Sequence, residues 1–375
     1  MSKIVSHAEL EMFIEKVYYD SVSSFIQGGI GVGKSETVNK IAQKISQDKK
    51  KIFIDWNRIS DKEKRELLKE ENIEKSFVFC DVRASQSAPE DLKGLPNFSG
   101  DFVDWKPNLV FRVLSNPKAS GILFFDELNL ATPSVMSALY QIILDRCIGE
   151  ISFPKEVVPI ACGNRIEDRG NVSELPSPLS NRFVHLELRP PTIDEFTDYG
   201  LNNGKMYDGR IIAFLQFKPS RIYAYDSKDK DKSFPTPRMW GICNRLIKGI
   251  DDLDILDILV SSAVGEATAI EFIAFLKLQE KIDVKDLIEH PEKVKEIKEI
   301  SLKWSLLSTL TEYLNRHKNP DTLKNIILIC SHMEAEFAVM LLRMIKSSDM
   351  SFFSKEVFKI KEFGELSKLY AKYTI

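Results

Sequence analysis

Short apolar runs punctuate the first half of the chain. Val22 to Ile26, then 76–82 (SFVFCDV), 121–128 (GILFFDEL), 157–162 (VVPIAC) and 183–188 (FVHLEL) are each bounded by polar or turn-forming residues and rich in β-branched and aromatic side chains. Runs that short predict buried strands rather than helices. Between them, 36–45 and 133–145 carry helical spacing, with Pro133 suited to a first helical turn. Strands alternating with helices predict an α/β class: a parallel sheet covered by helices.

The intervening stretches fill in this outline. Residues 3–19 space Ile4, Leu10, Phe13, Ile14 and Val17 as an amphipathic helix ahead of the first strand. The run IFIDW at 52–56 is followed by a charged stretch, 61–71, whose mixed signs predict a solvated helix in an exposed insertion. Residues 97–107 set Phe98, Phe102 and Trp105 among Gly, Asp and Ser, which predicts an exposed loop whose aromatics either grip a polypeptide or pack down on the domain. A short hairpin is expected over 147–155.

After RPPT at 189–192 the pattern changes. Helices are expected near 194–201 and 208–217, then a polar linker, SKDKDK at 227–232, and a helix within 234–247 that Arg238 opens. From 252 to 375 the spacing is helical almost throughout, with the most apolar spans at 255–278, 302–314, 323–346 and 352–370, and no internal repeat. These runs predict a bundle core.

Composition narrows the setting. A chain of 375 residues has room for two or three domains. Its 52 basic and 55 acidic residues give a formal charge of -3, so no global attraction to nucleic acid or to an anionic membrane is expected. Five scattered cysteines in mostly apolar runs read as reduced core thiols, and five dispersed histidines offer no metal-ligand spacing. The N-terminus lacks a signal-peptide core and no run reaches membrane-spanning length, so a cytoplasmic location is expected.

Candidate chemistry begins at 28–35, reading GGIGVGKS, directly after the first apolar run and before a helix. Gly28 and Gly33 bracket Gly29, Ile30, Gly31 and Val32, and Lys34 and Ser35 follow, completing the phosphate-binding loop pattern at every fixed position. Glycines let the backbone approach a polyphosphate and turn successive N–H groups on its oxygens. The helix start adds free N–H groups and partial positive charge, Lys34 can reach the terminal phosphates, and the Ser35 hydroxyl can ligate Mg²⁺. A glycine-rich turn that binds nothing is the plain alternative, and the strand before and helix after count against it.

Asp126 and Glu127 close the run at 121–128. A carboxylate at the tip of the strand beside the loop can hold the Mg²⁺ shell, and Glu127 can orient and polarise an attacking water. Asn164 ends the next strand at the same sheet edge, where it would position that water; an Asn merely ending a strand is the alternative. Arg83 and the segment to Pro96 follow a strand end and are expected near the same face. Arg182, just before FVHLEL, could neutralise γ-phosphate charge, and its distance along the domain from the loop favours service to a neighbouring subunit over its own. A lone surface arginine is the other reading.

The ordered set of phosphate loop, DE at a strand end, Asn after the next strand, NRF, and PR in a later helix resembles AAA+ ATPases. The blocks DVRASQSAPEDLKGLP, GILFFDELNLATPSVMSALYQIILDRCIGE, GNRIEDRG, LPSPLSNRFVHLEL and FPTPRMWGICNRLI are similar to the MoxR-type branch, over about residues 20 to 345. The resemblance implies an AAA+ α/β nucleotide-binding domain at 1–190, a helical lid at 191–280, and an all-α C-terminal region at 281–375. It implies ATP and Mg²⁺, with Gly28, Gly29, Ile30, Gly31, Val32, Gly33, Lys34, Ser35 and Glu36 in the Walker A segment and Asp126 and Glu127 as Walker B. Asn164 matches sensor 1, Arg182 the finger acting in trans, and Arg238 sensor 2; Arg165 and Arg169 lie near enough to share the trans role. It also implies a homo-oligomeric ring, usually a hexamer, and chaperone-like remodelling of a protein partner that often carries a von Willebrand factor A domain. The extra segment at 52–73 departs from the family pattern and leaves the sheet edge open.

Two alternatives stand beside this reading. A nucleic-acid-associated or GTP-preferring motor would share the motifs, and near-neutral charge with no evident DNA module counts against it. A nucleotide-gated scaffold with little hydrolysis would need none of the catalytic residue types that are present.

Overall fold

The computed structural model describes residues 2–98, 104–168, 173–202, 207–226 and 232–370. The chain forms two compact units, Met1–Pro190 and Pro191–Ile375.

The first unit contains strands β1 (Lys3–Val5), β2 (Ser24–Gly28), β3 (Ile52–Asp55), β4 (Ser76–Arg83), β5 (Leu95–Asn97), β6 (Asp104–Lys106), β7 (Gly121–Asp126), β8 (Cys147–Ile148), β9 (Ile151–Ser152), β10 (Val157–Gly163) and β11 (Val184–Leu188). Its helices are α1 (His7–Tyr19), α2 (Lys34–Asp48), α3 (Asp61–Glu66), α4 (Glu70–Glu74), α5 (Pro89–Lys93), α6 (Leu109–Leu114), α7 (Pro133–Asp145) and α8 (Ser177–Ser180). Seven strands form one sheet in the order β1-β11-β2-β10-β7-β4-β3, with every neighbouring pair parallel. The α/β class expected from the alternation is therefore the one observed. Burial on both faces explains why the central strands read as unbroken apolar runs.

One face stacks Phe79 between Phe53 and Phe124 and sets Phe77 against Tyr18 of α1. On the other face Cys80, Leu123 and Phe125 share a core with Phe111 of α6 and Leu139 of α7. Alternation along each strand thus feeds two cores, and every strand tip of the sheet delivers its loop to the same C-terminal edge.

Several expectations are corrected. Residues 3–5 are an edge strand, not the start of a helix; α1 begins at His7, because Ser6 and Glu9 form a reciprocal cap, Glu9 N donating to Ser6 Oγ at 3.2 Å and Ser6 N to Glu9 Oε2 at 2.8 Å. IFIDW supplies β3, the opposite edge, which settles the topology that the 52–73 insertion left open. The charged run is two short helices rather than one, and it is not simply exposed, since Leu67 and Ile73 enter the core. Residues 95–97 and 104–106 pair as an antiparallel hairpin where a loop was expected. On it Phe98 and Trp105 are exposed; Phe102 lies outside the described residues. Cys147 is half-buried, unlike the other four cysteines. Finally, β7 does not lie beside the loop strand β2: β10 sits between them.

Every regular element described in the second unit is a helix. They include α9 (Ile193–Asn202), α10 (Gly209–Phe217), α11 (Pro237–Ile247), α12 (Leu253–Val264) and α13 (Glu266–Lys277), followed by longer helices at Ile300–Arg316, Pro320–Ser331 and Ala335–Ser348. The span 255–278 breaks at Gly265, whose φ of 88° and closeness to Ser233, 2.5 Å from a notional Cβ to its carbonyl oxygen, leave no place for a side chain. One hydrophobic cluster runs through the unit, joining Phe214, Trp240 and Phe272 to Leu307, Ile327 and Leu341. Of the polar linker, 227–231 lie outside the described residues. Among the described residues no helix is long and apolar enough to cross a membrane.

Candidate functional site

The strand β2 ends at Gly28, and α2 starts six residues later. Gly31 (φ 72°) and Gly33 (φ 100°) take left-handed backbone between them, the conformation that lets successive N–H groups converge on an anion. Gly28 has no room for a Cβ, which would lie 2.8 Å from the Leu188 carbonyl oxygen of β11. The loop is therefore held between two strands and the helix it caps, and Glu36 stands in the first turn of that helix.

Lys34 is nearly buried, and its ammonium donates to the Gly28 carbonyl at 2.8 Å, the Gly29 carbonyl at 3.0 Å and Asn164 Oδ1 at 3.2 Å. Ser35 Oγ donates to Asp126 Oδ2 at 2.7 Å. The two halves of the site predicted from separate motifs thus meet directly. Asp126 Oδ1 accepts the backbone N–H of Glu127 at 2.9 Å, and Glu127 itself sits at φ 55°, ψ 36°, a left-handed conformation that a non-glycine residue seldom takes. Its carboxylate accepts Ser85 Oγ at 2.5 Å.

Asn164 is fixed by a neighbour that the sequence did not single out for a role. Asn129, buried after β7, donates from Nδ2 to the Asn164 carbonyl at 2.7 Å and accepts the Asn164 N–H on Oδ1 at 3.1 Å. The clasp is possible because Gly163 lacks a side chain: a Cβ there would lie 2.4 Å from Asn129 Oδ1. Gly163→Ala is accordingly expected to destabilise the first unit by about 1–3 kcal/mol through overpacking and to displace Asn164. Denaturation midpoints alongside nucleotide affinity check this; an unchanged midpoint would mean that the clasp can shift freely.

Three further residues were missed. Ser85 carries only a generic polar signal in ASQS, and His7 looked like one of five scattered histidines, although its Nε2 lies 2.8 Å from the Val32 carbonyl oxygen of the loop. The third is Asp81, on the strand next to β7. Burial, and then the neighbouring Asp126 carboxylate, push it up to about 6, and its Oδ1 has no hydrogen-bond partner among the described residues. Because the folded chain holds this proton more tightly than the unfolded one, its ionisation removes stability as pH rises from about 4 to about 6. A rise of that size corresponds to at most about 3 kcal/mol, and solvent screening at a partly exposed carboxylate reduces it to about 1 kcal/mol. Asp81→Asn is therefore expected to unfold at a higher temperature than the parent at about pH 8, with the gap shrinking towards about pH 5. A gap independent of pH would assign the effect to something other than charge.

The arginine candidates make other contacts. Arg182 donates to the Pro178 carbonyl at 2.6 Å and to Tyr140 Oη at 3.3 Å, with its guanidinium 5.3 Å from the centre of the Tyr140 ring. Arg165 follows Asn164 and points its guanidinium to Glu187, 3.6 Å away. Arg169 lies outside the described residues. Arg238 occupies the first turn of α11 in the second unit. Arg83 pairs in register with Asp126 and so stands at the same sheet edge, as expected.

No family model matches the chain, and no curated protein matches it. Among solved structures, the chain is similar to a point mutant of RuvB from Thermotoga maritima, at 16% identity and a TM-score of 0.35 over 77% of this chain and 74% of that one. It is also similar to NtrX from Brucella abortus in complex with ADP, at 12% identity and a TM-score of 0.39 over 97% of this chain and 67% of that one. Likeness at this distance carries no function; the site geometry has to.

Proposed function

We propose that this chain is a Mg²⁺-dependent ATPase of the AAA+ superfamily and of MoxR type, which assembles into a ring, a hexamer by the family pattern, and remodels a partner protein. The observation that carries the proposal is the 2.7 Å bond from Ser35 Oγ to Asp126 Oδ2 beside an ammonium spanning the loop and Asn164. A hydroxyl and a carboxylate next to an N–H nest form a hard-oxygen donor set suited to Mg²⁺ on a nucleoside triphosphate.

In this reading residues 28–35 cradle the phosphates and Lys34 turns its ammonium to the terminal ones. Ser35 and Asp126 would hold the Mg²⁺, which would supply neutralisation of the phosphate charge. Glu127 takes the proton of the attacking water and Asn164 orients that water. Arg182 serves the neighbouring subunit's site, and Arg238 couples residues 191–280, as a lid, to the nucleotide. The exposed Phe98 and Trp105 on the β5–β6 hairpin offer apolar side chains to a polypeptide; that the partner carries a von Willebrand factor A domain follows from the MoxR resemblance alone.

Solution mass with and without Mg²⁺·ATP, measured together with phosphate release, tests the proposal. A ring that forms or tightens with ATP and releases phosphate supports it. A monomer that binds nucleotide without turnover would replace it with a gated scaffold. Within the ring, Arg182→Ala is expected to bind ATP without hydrolysing it, and mixing it with Lys34→Ala should restore part of the activity. Mixed rings with no recovery would remove Arg182 from the trans role.

A further inference from the structure

The hydrogen bond between His7 and the phosphate loop joins residues 25 positions apart in sequence. A carbonyl oxygen only accepts, so His7 Nε2 must carry the proton that it shares with Val32. The imidazole stands on firm ground. It belongs to the first residue of α1, whose start is fixed by the Ser6–Glu9 cap. The helix is in turn tied to α2 by Lys40 to Glu11 at 2.6 Å and Lys44 to Glu15 at 2.9 Å. On the other side of the bond, Val32 is buried and flanked by the two left-handed glycines, Gly31 and Gly33. In such a nest, the peptide N–H groups face the anion only while the carbonyls between them face away.

From this geometry we infer that His7 is a positioning residue for nucleotide binding: it holds the Val32 carbonyl turned outward, so that the loop meets the phosphates already shaped. The inference rests on the nucleotide-binding reading. It places the cost of losing His7 on affinity rather than on the chemical step, because preorganisation acts before any bond changes.

The test is titration of the full chain, with Mg²⁺, by a fluorescent ADP analogue, together with steady-state hydrolysis. His7→Ala is expected to weaken binding roughly tenfold, the scale of one lost neutral hydrogen bond, and to raise KM while kcat changes little. His7→Gln keeps an amide donor and should come within about twofold of the parent, whereas His7→Phe fills the space without a donor and should be as weak as Ala. Thermal unfolding of each variant shows that it is folded. A Gln variant as weak as Ala, an Ala variant that binds like the parent, or a loss confined to kcat would each overturn the role of His7. A parent chain that binds no nucleotide would overturn the nucleotide reading and this inference with it, which separates the two failures.

Discussion

Glu127→Gln is expected to bind nucleotide as the parent does and to lose turnover by about 10²–10⁴-fold, the range a general base contributes. The substitution is nearly isosteric, and the Ser85 hydroxyl that donates to Glu127 can donate equally to the amide oxygen. The Asp126–Glu127 turn should therefore keep its shape, along with the Asp126 contact to Ser35. What is lost is the group that can accept a proton. Phosphate release and binding of a fluorescent ADP analogue, measured on the same preparation, separate the two effects. Steady-state turnover near the parent value would remove Glu127 as the base and direct attention to Asp81 or to Asp126 itself.

Lys34→Ala should act on binding instead. Its ammonium donates to the Gly28 and Gly29 carbonyls and to Asn164 and is almost out of water, so its removal takes away a buried charge held against the loop backbone. Charge-assisted hydrogen bonds contribute about 1.5–3 kcal/mol each, so losing one or two to phosphate weakens nucleotide binding by about 10–10⁴-fold. Arginine should not rescue it: a planar fork does not reproduce the point-charge geometry with which the Lys34 ammonium meets the Gly28 and Gly29 carbonyls and Asn164. Affinity in Lys34→Ala within a few fold of the parent would mean that the backbone N–H groups alone hold the nucleotide.

Local signals account for what could be read in advance. Residues 28–35 announce themselves because glycine, lysine and serine at fixed offsets have few other uses, and Pro133 to Asp145 forms a helix over the expected bounds because proline and helical spacing mark it. Asp126, Glu127 and Asn164 were legible through their position at the ends of apolar runs. The misses are of another kind. Three residues are too few to show a period, so β1 at 3–5 merged with the helix after it, and the three-residue strands β5 and β6 passed for loop. That β10 separates β2 from β7 is a fact of strand order, which no local pattern encodes. Asn129, Ser85 and His7 each act on a single residue 25 to 42 positions away, and side-chain type alone does not say where such bonds will land.

Glu127 has one more consequence, and it concerns evolution under selection for heat resistance. An L-residue in left-handed backbone costs roughly 1–2 kcal/mol, which glycine largely avoids. Replacing Glu127 by glycine would therefore relieve the turn while deleting its carboxylate. A screen that rewards only a folded, heat-stable chain should enrich that change, and one that rewards turnover should purge it. Under the role proposed for Glu127, robustness and catalysis pull in opposite directions at this position, and a thermostable descendant that kept the acid would have gained its stability elsewhere.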